Sequence, residues 1–236
     1  MSPFRYAAMI DKTVPTLEAA LAGIADGATV LVGGFGPSGA PNELIDALLA
    51  QGARELTIVS NHAGNGDSGL AALLAAGRVR RIVCSFPRHK DSYVFDRLFK
   101  AGRIELELVL QGTLAERLRA AGAGVPAFYT PTGYGTALAE GKETRTIDGR
   151  PCVLEHALRG DVALVRADRA DRWGNLVYRK AARNFGPVMA TAARLTIAQV
   201  REIVPLGALD PEAIVTPGLF VARVWPMPAA RSAAAA

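Results

Sequence analysis

Asp26 to Pro41 reads DGATVLVGGFGPSGAP. An Asp-Gly turn leads into an apolar strand, Thr29 to Val32. The strand opens into a loop carrying Gly33, Gly34, Gly36 and Gly39 before a helix starts at Pro41. Glycines at the end of a buried strand let backbone lie against a ligand with no Cβ in the way. In open α/β sheets, ligands bind outside the carboxyl ends of the strands. This stretch therefore predicts both the fold class and the place of the site.

Working outward, the strand–helix alternation repeats. Thr16 to Ala25 reads as a helix with Leu17, Leu21 and Ile24 on one face, stopped by Asp26-Gly27. Pro41 to Ala50 is a second helix, with Leu44, Ile45, Leu48 and Leu49 as its buried side. Strands are predicted at Leu56 to Ser60, Val79 to Phe86, Ile104 to Leu110 and Val125 to Tyr129. Between them come a short helix from Leu70 to Ala76 and a longer one from Asp91 to Ala101. A third starts at Thr113, with Glu116 completing a capping box. Units of this length require crossovers, so the sheet is predicted to be mainly parallel with helices on both faces.

Beyond Gly135 the pattern turns β-rich. Thr144 to Ile147 and Cys152 to Glu155 flank Asp148-Gly149, a hairpin signal. Strands are predicted at Asp161 to Ala167, near Thr196 to Val204 and at Leu219 to Trp225, with a helix near Pro187 to Arg194. The expectation is one domain over residues 1–228 with a disordered low-complexity tail at 229–236.

Composition narrows the function. The chain has 236 residues, half of them hydrophobic, which is ample for a core. No apolar run reaches the length of a membrane span, and MSPFRYAAMIDK at the start lacks the apolar stretch of a signal peptide. Cys84 and Cys152 stand far apart without metal-ligand spacing and read as buried, reduced thiols of a cytoplasmic protein. The net charge is +5. The basic residues are mostly scattered among acids, with clusters at Arg78 to Arg81 and Arg179 to Arg183 and no interleaved aromatics. A solvated surface is expected, without nucleic-acid binding.

Gly34, Gly36 and Gly39 formally satisfy the dinucleotide fingerprint G-x-G-x-x-G. Two features oppose it. Pro37 has no N–H to offer a pyrophosphate. The second strand ends in Ser60-Asn61, where an acidic residue would hold a ribose. Yet four glycines between residues 33 and 39 exceed what a bare turn needs, so a ligand other than a dinucleotide is expected there.

The run Asp26-Gly27, Val30 to Val32, Gly33-Gly34-Phe35 and Gly39-Ala40-Pro41 resembles the α-subunit signature of the family I coenzyme A transferases. Further matching runs are Ser60-Asn61 with Ala63-Gly64, Gln111 to Arg117, Ala123 to Gly135 and Arg179 to Phe185. Within the family, Ser85 to Tyr93 and Asp171 to Arg179 are most similar to enzymes that use 3-oxoadipate and succinyl-CoA. The resemblance implies a CoA-transferase-like fold. It also implies an enzyme that moves CoA from succinyl-CoA to a 3-oxoacid, with acetoacetate as the alternative acceptor.

The nucleophile of this family is a glutamate of the complementary subunit, which forms an acyl anhydride and then a glutamyl-CoA thioester. The resemblance therefore implies that the chain is half of an active site, in a heterotetramer with two copies of each subunit. It implies no cofactor, CoA entering as the substrate's thioester, and no metal. Asn61 is expected to donate to the tetrahedral oxyanion, and Gln111 to position the glutamate or the substrate. Gly33, Gly34, Phe35 and Gly36 are expected to line the thioester channel. Arg88, with Lys90 nearby, could hold the distal carboxylate of a dicarboxylic acyl group. His62, His89 and His156 have neither triad nor metal spacing. From other classes, a non-catalytic acyl-CoA-binding module is opposed by Asn61 and Gln111 standing beside an intact glycine loop. A nucleotide-dependent oxidoreductase is opposed by Pro37 and Ser60-Asn61.

Overall fold

A computed structural model describes residues 10–88 and 90–228. The readings of the first nine residues, of His89 and of the tail at 229–236 lie outside the described residues.

In chain order, the first part comprises α1 (Leu17–Leu21), β1 (Thr29–Val32), α2 (Asn42–Gln51), β2 (Leu56–Val59), α3 (Leu70–Ala75), β3 (Val79–Cys84), α4 (Tyr93–Lys100), β4 (Glu105–Leu108) and α5 (Gln111–Gly122). Then come β5 (Ala127–Thr130), β6 (Thr144–Ile147) and β7 (Arg150–His156). The chain closes with β8 (Gly160–Ala170), β9 (Leu176–Val177), α6 (Gly186–Ala192), β10 (Ala193–Ile203) and β11 (Arg223–Pro226).

The main sheet runs β11-β10-β8-β1-β2-β3-β4, every pair along this path parallel, with β9 antiparallel to β8. β1 is central. From it the chain builds outward through β2, β3 and β4, then returns to its other side for β8, β10 and β11. Strand order reverses at β1, which makes its carboxyl end a topological switch point.

Alternate side chains of the strands enter two cores. Val30, Val32, Ile58 and Ile82 pack under α1 to α4. Leu31, Val59 and Val83 pack under α5 and α6. β1 is thus apolar on both faces, which is why it reads as an uninterrupted hydrophobic run. Each fully buried aliphatic side chain contributes about 1.5–3 kcal/mol. Both cysteines are buried and unpaired, and burial pushes the Cys84 thiol up to about 12.

Helix ends follow local chemistry at several places. Thr16 Oγ1 accepts from Ala19 N–H at 3.2 Å and caps α1. Gly52 closes α2 in the left-handed conformation, its N–H on Leu48 O at 3.3 Å. The hairpin between β6 and β7 turns through Asp148 (φ 49°) and Gly149 (φ 73°), as the Asp-Gly pair predicts.

Three expectations change. The capping box at Thr113 does not form. α5 starts two residues earlier at Gln111, so Thr113 falls inside the first turn with a buried, unpartnered hydroxyl, and Glu116 pairs with Arg119. β5 does not extend the parallel sheet. It pairs antiparallel with β7, and β5-β7-β6 form a separate three-stranded sheet. The last strand is shorter than predicted, because Gly218 to Phe220 is a 3-10 turn that leaves Leu219 85% exposed.

Candidate active site

The loops after β1, β2, β3 and β4 meet at the carboxyl edge of the sheet. The glycine loop begins as an extension of β1, with Gly33 N–H on Leu164 O at 2.9 Å. It then closes on itself. Phe35 N–H donates to Ser38 O at 2.9 Å and Ser38 N–H to Phe35 O at 3.1 Å, around a two-residue turn of Gly36 and Pro37. Gly36 takes φ 56°, as the first central position of such a turn requires. Pro37 occupies the second, whose N–H no bond of the turn uses, so the proline that spoils a dinucleotide site suits this one.

Gly39 is required for another reason. A Cβ there would lie 2.3 Å from Ala182 O. Residues 180–183 form a 3-10 turn laid across the loop. Asn184, at its end, accepts from Gly34 N–H at 3.1 Å and donates to Ser38 O at 3.0 Å.

Asn61 follows β2 directly. Its carbonyl accepts from Ser85 N–H at 3.3 Å and Phe86 N–H at 3.0 Å, which fixes its backbone against the end of β3. Its side chain is buried and meets that of Gln111, the first residue of α5, with Gln111 Nε2 donating to Asn61 Oδ1 at 2.7 Å. With Oδ1 engaged, the carboxamide has its NH2 left to donate. Two residues 50 positions apart, each chosen from the sequence, are thereby in direct contact. Ser85, which sequence reasoning passed over, has its hydroxyl buried and unpartnered beside them.

A cavity of about 300 Å³ opens next to the glycine loop. Gly33, Gly36 and Pro37 wall it on one side, and Ser60, His62 and Gly64 on the other. Neither Asn61 nor Gln111 lines it. Ser60 belongs to the cavity, and Asn61, one residue on, reaches α5, whose side chains fill the other core. The end of β2 therefore separates the cavity from the amide pair. Among the remaining expected residues, Gly34 and Phe35 shape the loop without lining the cavity, and Phe35 stands half exposed at its tip. Phe86 and Leu110 are exposed on the same edge.

Arg88 has a different setting. Its Nε lies 2.8 Å from Asp96 Oδ1, without hydrogen-bond alignment, and its guanidinium sits 5.7 Å from the centre of the Phe99 ring. Both partners belong to α4, and the structure does not bring Arg88 together with the amide pair or the cavity wall. His62 serves its own turn, Nδ1 accepting from Gly64 N–H at 2.9 Å. Among the described residues, no three His, Cys, Asp or Glu side chains converge on a metal-sized site, and no helix is long and apolar enough to cross a membrane.

Asn184 is the functional candidate that sequence reasoning missed. Its only signal was membership of the run Arg179 to Phe185, which carried no individual role.

The profile of the family described as Coenzyme A transferase matches residues 14–226. A 3-oxoadipate CoA-transferase subunit of Pseudomonas putida is 66% identical over 216 residues, 92% of this chain and 94% of that protein. A succinyl-CoA:3-ketoacid coenzyme A transferase subunit of Xanthomonas campestris pv. campestris is 54% identical over 208 residues, 88% of this chain and 85% of that protein. Among solved structures, glutaconate coenzyme A-transferase from Acidaminococcus fermentans superposes with a TM-score of 0.83 over 92% of this chain and 76% of that one. At 21% identity that likeness is one of fold.

Proposed function

The chain belongs to the coenzyme A transferase family, and from that premise we propose that it is the α subunit of an enzyme moving CoA from succinyl-CoA to 3-oxoadipate. It acts with a complementary subunit that supplies the nucleophilic glutamate. The two form a heterotetramer, two copies of each, in the cytoplasm, within the breakdown of aromatic compounds. The observation that carries this reading is the Gln111–Asn61 hydrogen bond at the carboxyl edge of the sheet.

The partner's glutamate attacks the thioester carbonyl and the carbonyl π electrons move onto oxygen. Asn61 donates its NH2 to that oxyanion, while Gln111 holds the carboxamide in the orientation that makes donation possible. The oxyanion collapses, the CoA thiolate leaves, and an acyl anhydride remains. The thiolate then attacks the glutamyl carbonyl and releases succinate, leaving the glutamyl-CoA thioester. The acceptor carboxylate reverses the two steps. A donor already fixed by a neighbouring side chain needs little reorganisation when the charge develops. The exposed Phe35, Phe86 and Leu110 form the apolar edge against which the complementary subunit closes the site.

Expression of this chain alone and together with its complementary subunit, followed by assay with succinyl-CoA and either 3-oxoadipate or acetoacetate, tests the proposal. Transfer is expected only in the co-expressed sample, with 3-oxoadipate preferred and the CoA thioester trapped on the partner. Activity from the chain alone would place the nucleophile here instead. Silence in both samples would favour an acyl-CoA-binding module. Preference for acetoacetate would reassign the acceptor.

A further inference from the structure

The glycine loop is held by a residue that contributes nothing to its sequence. Asn184 lies 150 positions from Gly34 and 146 from Ser38, yet one carboxamide bridges both. Its Oδ1 accepts from Gly34 N–H at 3.1 Å and from Phe185 N–H at 2.7 Å. Its Nδ2 donates to Ser38 O at 3.0 Å and to Ala181 O at 3.1 Å. The loop's own turn pairs Phe35 with Ser38, so at its base Gly34 N–H needs an outside partner, and the second lone pair of Ser38 O is open to one. A carboxamide carries an acceptor and a donor a peptide-width apart, and supplies both as a neighbouring strand would. The fit is close. Residues 181–184 lie so near the loop that the space for a Cβ at Gly39 is taken by Ala182 O, at 2.3 Å.

We propose that Asn184 is a positioning residue for CoA transfer: it fixes the shape of the glycine loop, and through it the cavity walled by Gly33 and Gly36, which takes a part of the thioester substrate away from the carbonyl that reacts at Asn61. The catalytic part of this statement rests on the transferase reading above. The clamp itself rests on the four hydrogen bonds. Alanine at 184 leaves Gly34 N–H without a partner and takes away the second donor to Ser38 O, which keeps only Phe35 N–H. Aspartate keeps the acceptor for Gly34 N–H but turns a second oxygen toward Ser38 O and Ala181 O, so it is a partial replacement in spite of its matching size.

The test uses the assembled two-subunit enzyme carrying Asn184→Ala or Asn184→Asp. Hydrogen exchange resolved by peptide is expected to speed up at residues 33–41 in the Ala variant by about tenfold or more, and to stay unchanged over β4. In the same protein, kcat/KM for succinyl-CoA per assembled site is expected to fall by about ten- to a hundredfold, with the Asp variant between Ala and wild type. A merely structural role would lower the amount of assembled enzyme and leave kcat/KM per site as it was. Unchanged exchange at 33–41 overturns the clamp. A loosened loop with kcat/KM within threefold of wild type overturns the positioning role. Should the Ala variant fail to assemble, the Asp variant decides both points. If the wild-type complex transfers no CoA, the transferase reading falls, and the exchange measurement still decides the clamp.

Discussion

Asn61 combines deep burial, at 3% exposure, with a side-chain oxygen already occupied by Gln111. Asparagine most often serves loops by capping their backbone. Here the side chain is bound by another side chain, and that arrangement leaves the NH2 end of the amide to donate. Asn61→Ala is expected to lower kcat by about 10²–10³, equivalent to roughly 3–4 kcal/mol of lost oxyanion stabilisation. Assembly with the complementary subunit, followed by size-exclusion chromatography, should be unaffected. A loss below tenfold would remove Asn61 from the chemistry. Asn61 and Gln111 stand out in the sequence because both follow predicted strands and lie in family-like runs. Their contact does not, since nothing local encodes which strand ends are neighbours. Arg88 shows the converse: its residue type suited a carboxylate ligand, and the structure gives it one in Asp96 of α4.

At the scale of elements, a charged network ties the small antiparallel sheet to the main fold. Arg117 of α5 donates to Glu107 Oε1 of β4 at 2.6 Å and to His156 O of β7 at 2.8 Å, and lies 4.0 Å from Glu155 Oε2. Lys142 holds the other oxygen of Glu155 at 2.5 Å, and Arg81 of β3 pairs with Glu107. Burial by itself would push the Glu107 carboxyl up. The hydrogen bonds and charges of Arg117 and Arg81 outweigh it and hold the group below 4.5. A carboxylate depressed in the folded state contributes stability that is present above its unfolded value near 4.5 and is lost as pH falls through the depressed one. Arg117→Ala leaves Glu155 and Glu107 with reduced compensation, partly relieved by solvent at Glu107, and is expected to cost about 2–4 kcal/mol. In the variant, burial acts on Glu107 with less opposition, so its folded and unfolded values converge and the loss of stability between pH 7 and 3.5 should be smaller than in wild type. Urea unfolding measured between pH 3.5 and 7 checks both statements. Superimposable pH profiles would show that the network contributes no linkage.

The whole molecule depends on a late return of the chain. β8 inserts beside β1, pairing Val30, Leu31 and Val32 with Val162, Ala163 and Leu164. Without β8, β10 and β11, the central strand becomes an edge with unpaired backbone and an apolar face on each side. A fragment ending at Arg159 is therefore expected to show no cooperative thermal transition by circular dichroism, although it contains β1 to β4 and their helices. A sharp transition would mean that the first half folds independently of the strands that complete its sheet.

The sequence by itself determined the elements and the family. Glycine-ended strands, apolar periodicity and the Asp148-Gly149 hairpin are local chemistry, and the family-like runs are strings of neighbouring residues. Only the tertiary structure decided what is distant along the chain: that β5 leaves the parallel sheet for β7, that Gln111 orients Asn61, and that Asn184 closes on Gly34 and Ser38. The physical reason is the same in each case. A strand edge or a carboxamide offers the same donors and acceptors wherever it stands, so its partner is chosen by the packing that brings one group within about 3 Å of another, and the local sequence carries no record of that choice.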